Sequence, residues 1–125
     1  MRKDELKKHF VGGDLTKGLI KKDSLKGADL RKSNLRDADL LGANLEGANL
    51  WKSSLPGANL YGANLEGADL DGAYLPRANL IRANLRKTNL KDADLSMAYL
   101  SEANLQEAKT DGANFYGANC LNVVK

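Results

Sequence analysis

The side chains that could perform chemistry are few in this sequence and stand far apart. A single cysteine, Cys120, rules out an internal disulfide, and the single histidine, His9, has no second histidine or cysteine nearby to complete a metal site. No serine, cysteine or lysine nucleophile stands beside a base at a telling spacing, and no phosphate-binding loop appears. We therefore predict no catalytic residue, no metal and no cofactor.

The dominant pattern is instead a strict period of five residues. From Leu15 to Cys120 every fifth residue is apolar or nearly so, without an insertion, and a small Ala, Ser or Thr recurs two positions earlier. Most residues at these fifth positions, which we call the Leu positions, are Leu; the exceptions are Ile20, Thr110, Phe115 and Cys120. A period of five fits neither a helix, at about 3.6 residues per turn, nor a strand, at 2, so the repeat needs an architecture of its own.

The repeating unit is A-[N/D]-L-x-x, as in residues 43–47, and about 22 copies follow one another between Gly13 and Asn122. This pattern resembles the pentapeptide-repeat family over nearly the whole chain. The resemblance implies an all-β fold, a right-handed quadrilateral parallel β-helix, in which each pentapeptide forms one side and four form a coil.

The residues agree with that architecture. If the chain turns a corner after each unit, the Leu and the small residue before it point inward, and together they fill a narrow interior without overpacking. The Pro56-Gly57 pair is typical of a type II turn. Charged residues replace the second corner Gly in several units, where we expect a different turn type: Asp37, Arg77, Arg82 and Lys87. Coils about 4.8 Å apart give a rod roughly 26 Å long.

These features divide the chain into three parts. Residues 1–12 are predicted to form a short N-terminal α-helical cap, with Leu6 and Phe10 on one face, although a frayed basic tail is the alternative. Residues 13–122 form the β-helix, about 5.5 coils, and residues 123–125 a C-terminal tail.

The carboxyl end of the β-helix has no predicted cap. An uncovered last coil presents apolar side chains and unpaired backbone groups, which favours pairing with another chain. We therefore expect a homodimer through this end, as in some members of the family that the chain resembles, with Cys120 as a small buried hydrophobe and not a reactive thiol. The predicted interface consists of Phe115, Cys120, Leu121, Val123 and Val124.

Residues twenty apart should lie directly above one another. One such column at a corner holds four apolar residues and Ser101, and we call its apolar members the Leu41 stripe: Leu41, Tyr61, Ile81 and Leu121. An exposed apolar stripe favours a protein-binding surface over incidental hydrophobic turns. Tyr74 and Tyr99 should also point outward, where they extend such a surface or pack locally.

Other columns predict contacts that stabilise the rod. We expect Arg31 to lie on Trp51 as a cation–π pair. We expect alternating ion pairs along one column, and an amide ladder along another. The first consists of Asp71, Lys91 and Asp111, and the second of Asn44, Asn64, Asn84 and Asn104.

Charge is arranged in bands along the rod. The net charge is +3, but residues 1–36 carry +6, 37–76 carry −5, 77–91 carry +5 and 92–125 carry −3. The resemblance implies a possible role as a DNA mimic that modulates DNA gyrase, which requires continuous negative potential along one face. Basic residues such as Arg77 and Arg86 interrupt any such face. Nucleic-acid binding is also disfavoured, since the basic bands hold few aromatic residues for stacking.

These observations predict a non-catalytic structural or protein-interaction rod whose partner is unknown, with a DNA-mimic modulator of gyrase or another topoisomerase as the alternative. A convex rod offers no concave pocket for an enzyme or a small-molecule substrate. No long apolar run and no signal-peptide core occur in the sequence, so we expect a cytoplasmic protein without a membrane segment.

Overall fold

The structure is a computed structural model, and it describes Gly12 and residues 25–125. The backbone winds in coils of twenty residues, because parallel β-bridges join each bridged residue to the residue twenty positions later, from Asp29 with Asn49 to Asn104 with Val124. The bridges are isolated single residues and not longer strands, and a two-residue turn follows every fifth residue. Four short sides and four corners therefore make each coil, as the sequence predicted.

The core is a ladder of Leu and Ala side chains inside the coils. From Leu30 to Leu100 every Leu-position side chain is at most 1% exposed, and most of the Ala side chains two positions earlier are equally buried. Ser33, Ser53 and Thr88 take the place of Ala, and each hydroxyl donates to the carbonyl of the Leu three residues before it, at 2.7 to 2.8 Å. The predicted inward pair of one large and one small residue is confirmed.

Each backbone N–H in a repeat has a defined partner, as residues 59–63 illustrate. The N–H of Asn59 donates to the preceding coil at 2.9 Å, whereas those of Leu60 and Gly62 donate to the following coil at 2.7 and 2.9 Å. The N–H of Ala63 closes the turn on the carbonyl of Leu60 at 3.0 Å, and the N–H of Tyr61 donates to the side chain of Asn59 at 3.1 Å. The repeat thus satisfies all five of its donors.

Every described corner has a positive φ at its second residue, so the prediction of a different turn type at charged corner residues was wrong. Gly57 has a φ of 66°, and Arg77, directly above it in the same column, has a φ of 59°. The reason is that the same bond closes the turn whether or not the second corner residue is Gly: the N–H of Ala58 donates to Leu55 and that of Ala78 to Leu75, at 3.1 and 3.2 Å. Eleven residues other than Gly adopt positive φ in the described region, each at a cost of about 1 kcal/mol.

The two ends of the described region bear on the predicted boundaries of the β-helix. Gly12 donates its N–H to the carbonyl of Arg31 at 2.8 Å with a φ of 66°, which is the bonding of a second corner residue. Otherwise the predicted helical cap over residues 1–12 lies outside the described residues, and those that are described include no helix. At the other end Val124 is bridged to Asn104, so the ladder continues into the segment assigned to a tail. No helix in the described part of the chain could span a membrane.

Candidate functional site

The Leu41 stripe lies along one corner of the solenoid, as the twenty-residue register requires. Leu41 is 51% exposed and Leu121 65% exposed. Tyr61 and Ile81 between them are half-buried. Ser101 separates Ile81 from Leu121, so the continuous apolar part covers three coils.

An ion pair borders this stripe. Arg82, which follows Ile81, donates through Nε to the carboxylate of Glu102 and through Nη1 to the hydroxyl of Tyr61 at 3.2 Å. The hydrogen bond that Arg82 donates to Glu102 and the negative charge of that carboxylate raise the pKa of Arg82 above its ordinary value. Arg82 thereby connects the hydroxyl of Tyr61 to the carboxylate of Glu102 along the corner.

Exposed apolar side chains also lie outside the stripe. Tyr74 and Tyr99 are each 49% exposed, in agreement with their predicted outward direction. Met97 is also exposed, and the sequence analysis missed it. The available signal was its place at the second corner position, where the other described residues of the same column, such as Arg77, are exposed.

The last coil ends in an open depression of about 540 Å³. Its apolar lining comes from the inward positions of the final coil and from the coil before it: Leu105, Ala108, Phe115, Cys120 and Val123. Of the predicted interface, Phe115 and Val123 are half-buried in this depression, whereas Leu121 and Val124 are exposed and do not line it. Cys120 is exposed in the single chain, because no described coil covers its inward position.

Backbone donors outnumber acceptors at this end. Within each repeat two N–H groups point toward the following coil, but only one carbonyl does, that of the small residue. The N–H groups of Thr110, Phe115 and Cys120, for example, have no partner among the described residues. The end is therefore both apolar in its centre and rich in hydrogen-bond donors at its rim.

The predicted partner of Trp51 was wrong. Lys32 and Lys52 place their ammonium groups 5.2 and 4.7 Å from the centroid of the indole ring. Arg31 instead forms a bidentate pair with Asp29, at 2.8 and 2.7 Å, which raises the pKa of the guanidinium. Because Arg31 has a carboxylate on its own repeat, it turns away from the ring.

The two predicted columns of polar contacts form only in part. Asn84 donates to the side-chain oxygen of Asn64 at 3.2 Å, one step of the predicted amide ladder. The ladder is not continuous, because Asn104 donates to Gln106 instead. The column of Asp71, Lys91 and Asp111 forms no ion pair in the described part of the chain.

Within residues 25–125, no group of three His, Cys, Asp or Glu side chains could hold a metal ion. The arrangement supports binding through surfaces: an apolar corner, an open end and several exposed aromatic rings.

Comparisons with known proteins agree with this geometry. A family model for pentapeptide repeats matches residues 24–61, 58–96 and 98–121, in eight copies. A pentapeptide repeat protein from the thylakoid lumen of Arabidopsis thaliana is similar, with 28% identity, a TM-score of 0.56, and coverage of 94% of this chain and 69% of that one. Rfr23, a pentapeptide repeat protein from the cyanobacterium Cyanothece 51142, is 35% identical, with a TM-score of 0.55 and coverage of 70% and 63%. No curated protein matches the sequence.

Proposed function

Because the chain belongs to the pentapeptide repeat family, whose solenoid is a right-handed β-helix, we propose that it is a non-catalytic protein-interaction rod that associates with a second copy through its C-terminal coil. The observation that carries the proposal is the apolar depression at the end of that coil. A depression of about 540 Å³ that holds the half-buried Phe115 and Val123 is an apolar surface that a partner can cover.

The backbone of the last coil decides what holds such a dimer together. If two copies meet tail to tail, each end presents about two N–H groups for every carbonyl, so half of the donors find no acceptor across the interface. A continuous β-ladder through the dimer is therefore excluded as its main support. The apolar side chains in the depression must contribute most of the association energy.

The test is the mass in solution, by light scattering, of the wild type and of Phe115→Asp. A carboxylate in the depression should be desolvated on association, so we expect a dimer that becomes a folded monomer. Tyr116→Asp is the matched control: the neighbouring Tyr116 is 79% exposed on the side of the rod and should leave the dimer intact. A wild-type monomer, or a Phe115→Asp dimer, contradicts the proposal.

The Leu41 stripe is the lateral surface that we assign to a different protein partner. Leu41, Tyr61 and Ile81 are in register over three coils, and Arg82 donates a hydrogen bond to the hydroxyl of Tyr61. In an affinity capture experiment, a partner retained by the wild type and by Tyr116→Asp should be lost with Tyr61→Asp. If no retained protein depends on Tyr61, the stripe is not a binding surface.

The alternative function, a DNA mimic that acts on gyrase, finds less support in the charges. In one corner column Glu46 and Glu66 lie between Lys26 and Arg86, and in another Asp71 is followed by Lys91. Continuous negative potential therefore does not extend along these columns. A supercoiling assay with purified gyrase tests the alternative directly, and an unchanged rate at micromolar protein rejects it.

A further inference from the structure

A second depression, which we call the Tyr74 groove, lies on a corner well away from the C-terminal end. It has a volume of about 270 Å³ and is lined by Arg36, Asp37, Pro56, Gly57, Tyr74, Pro76 and Arg77. The groove crosses three successive coils, since residues 36, 56 and 76 occupy one column. It shares no residue with the Leu41 stripe or the C-terminal depression.

The floor and the wall of the groove are apolar. Pro56 and Pro76 are stacked and half-buried, and Tyr74 stands beside them with 49% of its surface exposed. Below Tyr74 in its own column is the short side chain of Ser54, so one side of the ring stays open. Gly57 lacks a side chain that would fill the groove, and the carboxylate of Asp37 lies over it.

The two ends of the groove are positively charged. Arg77 is exposed and has no acidic partner among the described residues. Arg36 has only a loose pair with Asp37, at 3.9 Å, in which both side chains are more than 70% exposed. The side of the rod next to the groove consists of residues 32–36, 52–56 and 72–76. It contributes two further positive charges, Lys32 and Lys52, and contains no acidic residue. Because the pair between Arg36 and Asp37 is loose and exposed, a carboxylate of a ligand can replace Asp37 at Arg36. A complementary ligand is therefore anionic at its ends and apolar in its middle.

The spacing of the two arginines selects one ligand conformation. The backbone positions of Arg36 and Arg77 are two coils and one residue apart, which is about 9.6 Å along the axis. A polyproline-II segment repeats every three residues, about 9.3 Å. A β-strand places same-side residues about 6.8 or about 13.6 Å apart, and neither spacing matches the rise between the two arginines. Grooves lined by aromatic rings also favour polyproline-II segments because these lose little entropy on binding.

We propose that the Tyr74 groove binds an extended polyproline-II segment of a partner protein that carries two carboxylates three residues apart. One carboxylate pairs with Arg36 and the other with Arg77, while the residues between them cover Pro56, Pro76 and the ring of Tyr74. Bidentate guanidinium–carboxylate pairs give such a site its directionality.

The test is fluorescence anisotropy with the full chain and a labelled peptide whose core is Glu-Pro-Pro-Glu. The comparison peptides are Gln-Pro-Pro-Gln, without charge, and Pro-Glu-Glu-Pro, with the same charge at the wrong spacing. We expect saturable binding of the first peptide and at least about tenfold weaker binding of the other two. Equal binding of all three, or no binding, overturns the proposal. Tighter binding of an oligothymidylate that displaces the peptide would replace it with a nucleic-acid site.

Two variants test the residues without changing the fold, because each introduces a residue that the same column already contains. Arg77→Gly matches Gly57 and Gly117, and Tyr74→Asn matches Asn114. Each should weaken the Glu-Pro-Pro-Glu peptide about tenfold. Lys87→Gly is the control, since it removes one positive charge from another corner and should not alter binding. If Lys87→Gly weakens the peptide as much as Arg77→Gly does, the attraction is nonspecific and the groove is not the site.

Discussion

The side-chain oxygen of Asn59 lies 3.1 Å from the backbone nitrogen of Tyr61 and accepts its N–H. The same bond recurs at all fifteen Asn and Asp residues that precede a Leu position in residues 25–125, from Asp29 to Asn119. The first corner residue has no backbone acceptor, so the Asn or Asp of the repeat supplies one. Two of the exceptions support this reading: Ser54 and Tyr74 stand where the first corner residue is Pro and has no N–H to satisfy.

Replacement of Asn59 by Ala should therefore destabilise the protein by about 1 kcal/mol, because the N–H of Tyr61 loses its acceptor. Urea denaturation followed by circular dichroism measures the change. Ser54→Ala is the matched control, since Pro56 needs no acceptor, and it should change the free energy of unfolding by less than about 0.5 kcal/mol. Equal losses in the two variants would show that the Asn side chain acts in another way.

At Tyr99 the missing side-chain acceptor can be introduced instead of removed. Ser101 has an N–H at the first corner position, but Tyr99 offers no side-chain acceptor at the place where other repeats have Asn. Tyr99→Asn should raise the stability by about 0.5 to 1 kcal/mol. The midpoint of thermal unfolding checks this, and a lower midpoint would mean that the ring of Tyr99 contributes more than the missing hydrogen bond.

The sequence predicted the core because burial there follows from period alone. Every side chain at a Leu position, such as Leu60, must point inward once the chain turns every five residues, so no knowledge of contacts was needed. The turn type at Arg77 was mispredicted for the opposite reason. Local preference favours Gly at positive φ, but the hydrogen bonds that close each turn and join the coils impose the same backbone on every residue type.

For the surface, the sequence could predict which residues share a column but not which of them form contacts. The register placed Arg31 beneath Trp51, but it could not show that Arg31 would pair with Asp29 and leave the ring to Lys32 and Lys52. Exposed ion pairs differ by only a few tenths of a kcal/mol, so such choices depend on details of geometry. The Tyr74 groove was missed because it depends on the small size of Gly57 and Ser54 and not on any motif.

Truncation of the core should cost far more than truncation of the surface stripe. Leu60 is fully buried, and Leu60→Ala leaves a cavity between coils that the rigid backbone ladder cannot close, so we expect a loss of about 3 to 5 kcal/mol. Leu121→Ala removes the same atoms from a side chain that is 65% exposed and should cost less than about 1 kcal/mol. Denaturant midpoints of the two variants provide the comparison. Similar losses would indicate that Leu121 is covered in solution, for instance by a second copy.

Relief of backbone strain gives the last prediction. Lys87 adopts a φ of 58° at a second corner position where the residues below it in the column, Gly27, Gly47 and Gly67, have no Cβ. Its side chain forms no ion pair in the described part of the chain, so little opposes the gain from removing the Cβ. Gly also increases the entropy of the unfolded chain, which offsets part of that gain. We expect Lys87→Gly to raise the free energy of unfolding by about 0.5 kcal/mol and Lys87→Ala to leave it nearly unchanged, because Ala keeps the strained Cβ. Denaturation curves of both variants measure the difference. If Lys87→Ala stabilised the protein and Lys87→Gly did not, backbone strain at Lys87 would be contradicted.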